Sequence, residues 1–424
     1  MMATTADRYP YAFHIALDGN GLNGLEGAAG VCAFLYNPDS GEYAYRVQYY
    51  DGAAGGHAIS ITPDRKFGFL GNAGQQLLFY DVDSLDERER VSTLRFEIPD
   101  ASIKSSTHMV WLDNTQGVTA IGDGLWLVDL DRATKAERIG NHLLKLPHAM
   151  KRTASGRYLV YGGMDHPGQG EAAEVGIFDL EKRVARRIPL PTTCWHVACH
   201  PREDVFYALS FRVHPQEGRD WHEWAMAYFK EYVFEIDART GQILRHWTCG
   251  QNVPAHINSD VCVSDRELIY CNGGSGTIVM IDLADFTSYR VIDERPGLSA
   301  QMRSARQAAR QVTDAFTRGS PVPSSRHFVG ALRVTRGTLI DSVYACQLSA
   351  DQKLLFTANR GLNTITVYDY PGNAVRLRVE MPELRAYLPD LPVWADPRLG
   401  FHHSTLLSPV PAPAGADLRS VHEH

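Results

Sequence analysis

His57-Ala-Ile-Ser-Ile-Thr-Pro-Asp-Arg-Lys-Phe-Gly-Phe-Leu-Gly-Asn72, resumed at Leu77-Leu-Phe-Tyr-Asp81, is the stretch whose reading decides the fold. Apolar and polar residues alternate from His57 to Thr62, the period of a strand. Pro63-Asp64 supplies a tight turn, Phe67 to Asn72 a second strand, and Leu77 to Tyr80 a third that stops at Asp81. Strand, turn, strand, loop, strand and Asp make one unit.

The unit repeats. Thr153-Ala-Ser-Gly-Arg-Tyr-Leu-Val-Tyr161 leads to Ile177-Phe178-Asp179, and Ser264 to Asn272 leads to Ile281-Asp282. Leu348-Ser-Ala-Asp351 to Asn359, followed by Val367-Tyr368-Asp369, is the clearest copy. An apolar residue followed by Asp or Asn closes the third strand at positions 37, 81, 129, 179, 237, 282 and 369. Most of these intervals are near the 40–50 residues of a four-stranded propeller blade, and the long last one holds a blade plus an insertion. Seven repeats predict one all-β domain over residues 1–424, a seven-bladed β-propeller.

The ends predict how the ring closes. Tyr11 to Leu17 already reads as a second strand, so the first blade lacks its innermost one. His403-Ser-Thr-Leu-Leu-Ser408-Pro409 matches His57 to Pro63 and supplies it from the other terminus. A C-terminal strand in the first blade leaves no open sheet edge. The tail over 410–424, rich in Pro and Ala, reads as loose. Across nearly the whole chain this grammar resembles the seven-bladed propellers with YVTN-type repeats, including the lactonase-like group. That resemblance implies fold and leaves activity to the site.

Composition narrows the function classes. Hydrophobic residues make up 44% and charged residues 21%, and 42 Lys+Arg against 49 Asp+Glu leave a net charge of −7. That balance argues against nucleic acid or an anionic membrane as partner. The sequence holds no uncharged apolar run long enough for a membrane span, and the first residues lack the apolar centre of a secretory signal. Seven cysteines without paired spacing read as buried thiols in a reducing compartment, so the expected location is cytoplasmic.

Aligning the first strands on the turns that end them brings out a column of histidines. His57, His108, His148 and His403 each stand five residues before Thr62, Asp113, Thr153 and Ser408. His196 is one residue off the equivalent place in the fifth blade. Tyr344 occupies it in the seventh, and Asn258 in the sixth with His256 two residues earlier on the same face. Innermost strands line the central channel, so the column predicts a ring of imidazoles about the axis. Neutral imidazoles on a common axis suit a transition metal, with Fe(II) favoured and Mn or Cu as further choices. No thiolate or carboxylate falls in the column. Carotenoid-cleavage oxygenases, the methanethiol-oxidase family and oligogalacturonate lyases are similar in site only, and their sequence motifs are absent.

Long loops fall on the histidine face. Insertions at 212–230, 296–341 and 382–400, and the shorter Gly162 to Val175, all follow second or fourth strands. Gly218 to Lys230 reads as an aromatic helical turn and Leu298 to Phe316 as an amphipathic helix. Trp195, Trp221, Trp224 and His327 are expected to line a substrate pocket beneath this lid. Second-strand ends place Asp123 as candidate general base and Arg360 as anion holder, with Tyr344 as a third candidate catalytic residue. The expected function is a metal-dependent oxidoreductase or oxygenase acting on a small, possibly aromatic, organic substrate. A metal-assisted lyase or isomerase is the alternative, and a binding scaffold the non-enzymatic one. A homo-oligomer is compatible with the insertions.

Overall fold

The computed structural model describes residues 8–18, 29–53, 55–72, 74–93, 107–131, 136–144, 147–163, 173–212, 232–248, 258–273, 276–294, 343–390 and 398–409, with helical positions at 302, 306, 309, 313 and 317. Their twenty-eight strands, β1 to β28 in chain order, form seven four-stranded antiparallel sheets. The chain is a seven-bladed propeller. Six sheets follow chain order, as in β4 (Gly56–Ile61), β5 (Phe67–Asn72), β6 (Gln76–Asp81) and β7 (Glu87–Ser92). The first blade instead runs β28 (Phe401–Leu407), β1 (Tyr11–Asp18), β2 (Ala29–Tyr36), β3 (Tyr43–Tyr50), so the late strand closes the ring as expected.

Seven innermost strands surround the axis: β28, β4, β8 (Met109–Trp111), β12 (Pro147–Arg152), β16 (Thr193–Cys199), β20 (Asn258–Val263) and β24 (Val343–Leu348). Each touches the next, and β24 returns to β28. Blades pack face to face, which is why their middle strands are nearly continuous apolar runs. Ala29-Gly-Val-Cys-Ala-Phe-Leu-Tyr36 is almost wholly buried, whereas in Tyr43 to Tyr50 at the rim half the residues are exposed and only Tyr50 is buried. One inter-blade cluster joins Phe13, Phe34 and Tyr36 of the first blade to Phe356 and Val367 of the seventh. At roughly 2 kcal/mol for each large side chain buried, such seams hold the ring together.

The third-strand Asp has a physical job. Asp81 Oδ1 accepts the backbone N–H groups of Asp83 and Ser84 at 3.0 and 2.9 Å, and Asp237 Oδ1 accepts those of Arg239 and Thr240 at 2.7 and 3.0 Å. These side chains mimic a backbone turn and start the hairpin to the outer strand.

Of the insertions, the part of 382–400 that is described contains a short 3₁₀ turn at Leu384–Ala386, and Leu384 and Leu399 are buried in the first-blade core. The described positions 302, 306, 309, 313 and 317 are helical and exposed. The aromatic turn over 218–230 lies outside the described residues. No helix among them is long and apolar enough to cross a membrane.

Candidate metal centre

Six imidazoles converge at one end of the channel: His57, His108, His148, His196, His402 and His403. Ring centroids lie 4.2 to 5.6 Å apart for nine of their pairs. His57, His108 and His148 offer ligand atoms within 4.8 Å of one another, and so do His57, His402 and His403. His57 belongs to both groups.

The backbone explains the convergence. At the histidine end the pairing of β4 with β5 slips between Gly56 and Ile59, and that of β12 with β13 (Tyr158–Gly163) slips at His148. The same irregularity recurs in β16, β20, β24 and β28. A bulge adds a residue to one strand and re-aims its side chains, here toward the axis. It also accounts for His196 being out of step, since β16 slips twice, after Thr193 and after Cys194. Adjacent residues of a regular strand face opposite ways. His402 and His403 both join the cluster because the register breaks opposite them, between Ile15 and Leu17.

Partners fix which nitrogen faces inward. His148 Nδ1 lies 3.2 Å from the Trp195 carbonyl, and since a carbonyl only accepts, Nδ1 carries the proton. His148 Nε2 then keeps its lone pair and stands 2.9 Å from Nε2 of His57. His108 Nδ1 is 3.0 Å from Thr107 Oγ1, a hydroxyl able to donate or accept, so Nε2 is the nitrogen turned away from that contact. His403 Nδ1 is 3.7 Å from Asp260 Oδ1, and its buried Nε2 has no hydrogen-bond partner among the described residues. Glycine brings the outer partners close. A Cβ on Gly162 would sit 2.1 Å from the Trp195 carbonyl oxygen, and one on Gly71 1.8 Å from that of Thr107. Metal-binding imidazoles are commonly oriented in this way through their second nitrogen.

The electrostatics suit a cation. Burial, then the neighbouring imidazoles, hold His57, His108, His196 and His402 well below the usual histidine range, and His148 is pushed down to about 3. All five rings are therefore neutral at physiological pH and present lone pairs. Burial pushes Asp260 up, but His403, Lys151 and a Ser404 hydrogen bond outweigh it and hold the carboxyl below its usual range.

Other expected site residues divide. Tyr344 is buried with its ring 5.0 Å from His402, and the Arg360 guanidinium lies 5.4 Å from the Tyr344 ring. Arg360 also donates to the Phe401 carbonyl at 3.3 Å and to Asp18 Oδ2 at 3.1 Å. The Trp195 ring is 5.3 Å from His148. Asp123 departs from its expected role as general base: its half-exposed carboxylate turns outward to Arg138 at 2.8 Å, on the blade's outermost strand β11 (Ala136–Asn141). His256, Trp221, Trp224 and His327 lie outside the described residues. Sequence reasoning missed His402 and Asp260. The His402-His403 doublet and Asp260, two residues after Asn258 on the same face, were the available signals.

No protein family and no curated protein matches this sequence. Solved structures share the architecture. Hydrazine synthase of Kuenenia stuttgartiensis is 12% identical over 74% of this chain and 76% of its own, with a TM-score of 0.49. Dihydro-heme d1 dehydrogenase NirN in complex with DHE is 11% identical over 90% and 74%, at 0.48. The Cps50 (Swd1) β-propeller domain of Myceliophteria thermophila is 10% identical over 77% and 87%, at 0.46. The likeness is one of fold alone.

Proposed function

We propose that this propeller is a metal-dependent enzyme whose transition ion sits on the axis, bound by Nε2 of His57, His108, His148 and His403, with His196 and His402 beside it. One observation carries the reading: His57, His108 and His148, from three separate blades, offer ring nitrogens within 4.8 Å of one another, and His57, His402 and His403 do the same.

The donor set favours Fe(II), with Mn or Cu as further choices. Nε2 of His57 and Nε2 of His148 stand 2.9 Å apart, close enough for both to reach one ion. The ion would supply Lewis acidity and redox chemistry, and we assign the protein to oxidation of a small organic substrate. His57 and His108 keep partial exposure, the side from which such a substrate would approach. Trp195 gives that approach an apolar wall beside His148.

A second reading rests on Arg360. That buried guanidinium, beside Tyr344 and His402 and paired with Asp18, would hold a carboxylate-bearing substrate by exchanging that partner, which suits a metal-assisted lyase or isomerase. Elemental analysis of untagged protein prepared without chelator is the first test, and near-stoichiometric Fe, Mn or Cu is expected. Metal content near zero after reconstitution would defeat both readings. Substrate-stimulated oxygen uptake by the Fe(II) form favours oxidation, and equal turnover without oxygen on Mn favours the lyase.

A further inference from the structure

Asp260 stands behind the histidine cluster, 5% exposed, in the bulge that interrupts β20. Its two oxygens do different work. Oδ2 receives the Ser404 backbone N–H at 3.0 Å, the Ser404 hydroxyl at 2.6 Å and the Gln347 amide at 3.3 Å. That oxygen ties β20 to β24 and β28. Oδ1 receives the Val261 N–H at 3.2 Å and faces His403 Nδ1 at 3.7 Å. A purely structural tie between blades would be served by Oδ2 alone.

We propose that Asp260 is the positioning residue of this centre, holding His403 in the Nδ1–H tautomer with Nε2 on the axis. The proposal rests on the metal reading above. The physical argument is directional. A neutral imidazole whose Nδ1–H faces a carboxylate keeps its Nε2 lone pair, and His403 Nε2 is buried and unpartnered among the described residues. Negative charge behind the ring also makes Nε2 a stronger donor to a cation. His403 lies on the closing strand, so Asp260 sets the ring's aim and docks the strand that carries it. The charge of Lys151 also acts on this carboxylate, so Asp260 is not left as an isolated buried anion.

Co(II) is the probe, because its visible absorption reports the ligand field. Full-length wild type and Asp260→Asn would be titrated with Co(II) against a chromophoric chelator, alongside melting of the metal-free chains. Asp260→Asn is expected to weaken Co(II) binding by about ten- to a hundredfold and to shift the absorption band. Asp260→Glu should restore part of both, and it also serves if the Asn chain does not fold. Ser404→Ala, which removes only the hydroxyl donor to Oδ2, should lower the melting temperature and leave Co(II) affinity unchanged. Wild-type affinity and spectrum in Asp260→Asn, or Ser404→Ala weakening Co(II) as much as Asp260→Asn does, would overturn the positioning role while the metal reading stands. A wild type that takes up no Co(II) would overturn both.

Discussion

The same innermost strands are irregular at one end and regular at the other. Away from the histidines, hydroxyl and carboxylate side chains build compact turns: Thr62 Oγ1 donates to Asp64 at 2.7 Å and Ser349 Oγ to Asp351 at 2.7 Å. Backbone bonds such as Thr62 N–H to the Phe67 carbonyl, 2.9 Å, then start an orderly ladder. At the other end the ladder breaks in blade after blade, and side chains turn inward. Regular pairing serves stability. Broken pairing at the same radius gathers the imidazoles.

The comparison breaks first at its closure. Deleting residues 401–424 removes β28 and two of the imidazoles, and leaves β1 as an open edge. The expected outcome is loss of the folded monomer, read by circular dichroism and size-exclusion chromatography. A truncated chain melting at the wild-type temperature would show that the ring does not need its last strand.

His57→Ala is expected to abolish metal retention, since His57 belongs to both ligand groups, while the metal-free melting temperature stays near that of wild type. Elemental analysis and calorimetry read the two effects separately. Loading the wild type should raise stability in turn. At an ion concentration one hundred times Kd the gain is about 2.7 kcal/mol, visible as a shift in the urea midpoint.

His14, in regular pairing, shows the effect of burial without neighbouring imidazoles. His14 sits in β1, paired on both sides and buried, and burial lowers its pKa to about 4. The folded chain refuses a proton that the unfolded chain accepts near pH 6.5. Stability from this group is full above pH 6.5 and is lost as pH falls toward about 4, by about 3 kcal/mol in all. Urea midpoints between pH 7 and 4 should therefore fall less steeply in His14→Gln than in wild type. Parallel slopes would remove His14 from the account.

The smallest effect belongs to the regular end. Ser349→Ala loses the hydroxyl that bonds Asp351 and accepts the Leu354 N–H at 3.0 Å. About 1 kcal/mol of stability should go, with metal content unchanged. A loss of metal would deny that the two ends are independent.

Blade number, blade boundaries and the closing strand were legible because Asp turns and strand alternation are local chemistry that repeats. His57, His108, His148 and His403 were legible because one register recurs. Asp260, His402 and the outward turn of Asp123 were not. A bulge changes which residues share a face, and no side chain in Gly56 to Ile59 or Phe401 to His403 announces where pairing will slip. Asp123 turned outward because Arg138, paired to Trp126 two strands from the axis, offers it a charge. Cross-strand neighbours of that kind cannot be seen along the chain.

The closing strand also gives the centre a place in time. β28 is synthesised after the other twenty-seven strands, and it brings His402 and His403. Until it docks, the remaining imidazoles belong to an open arc of blades. Loose histidine segments would take whichever divalent ion binds most tightly, Cu above the rest. A cage finished last would let its size and geometry, rather than raw affinity, choose the ion.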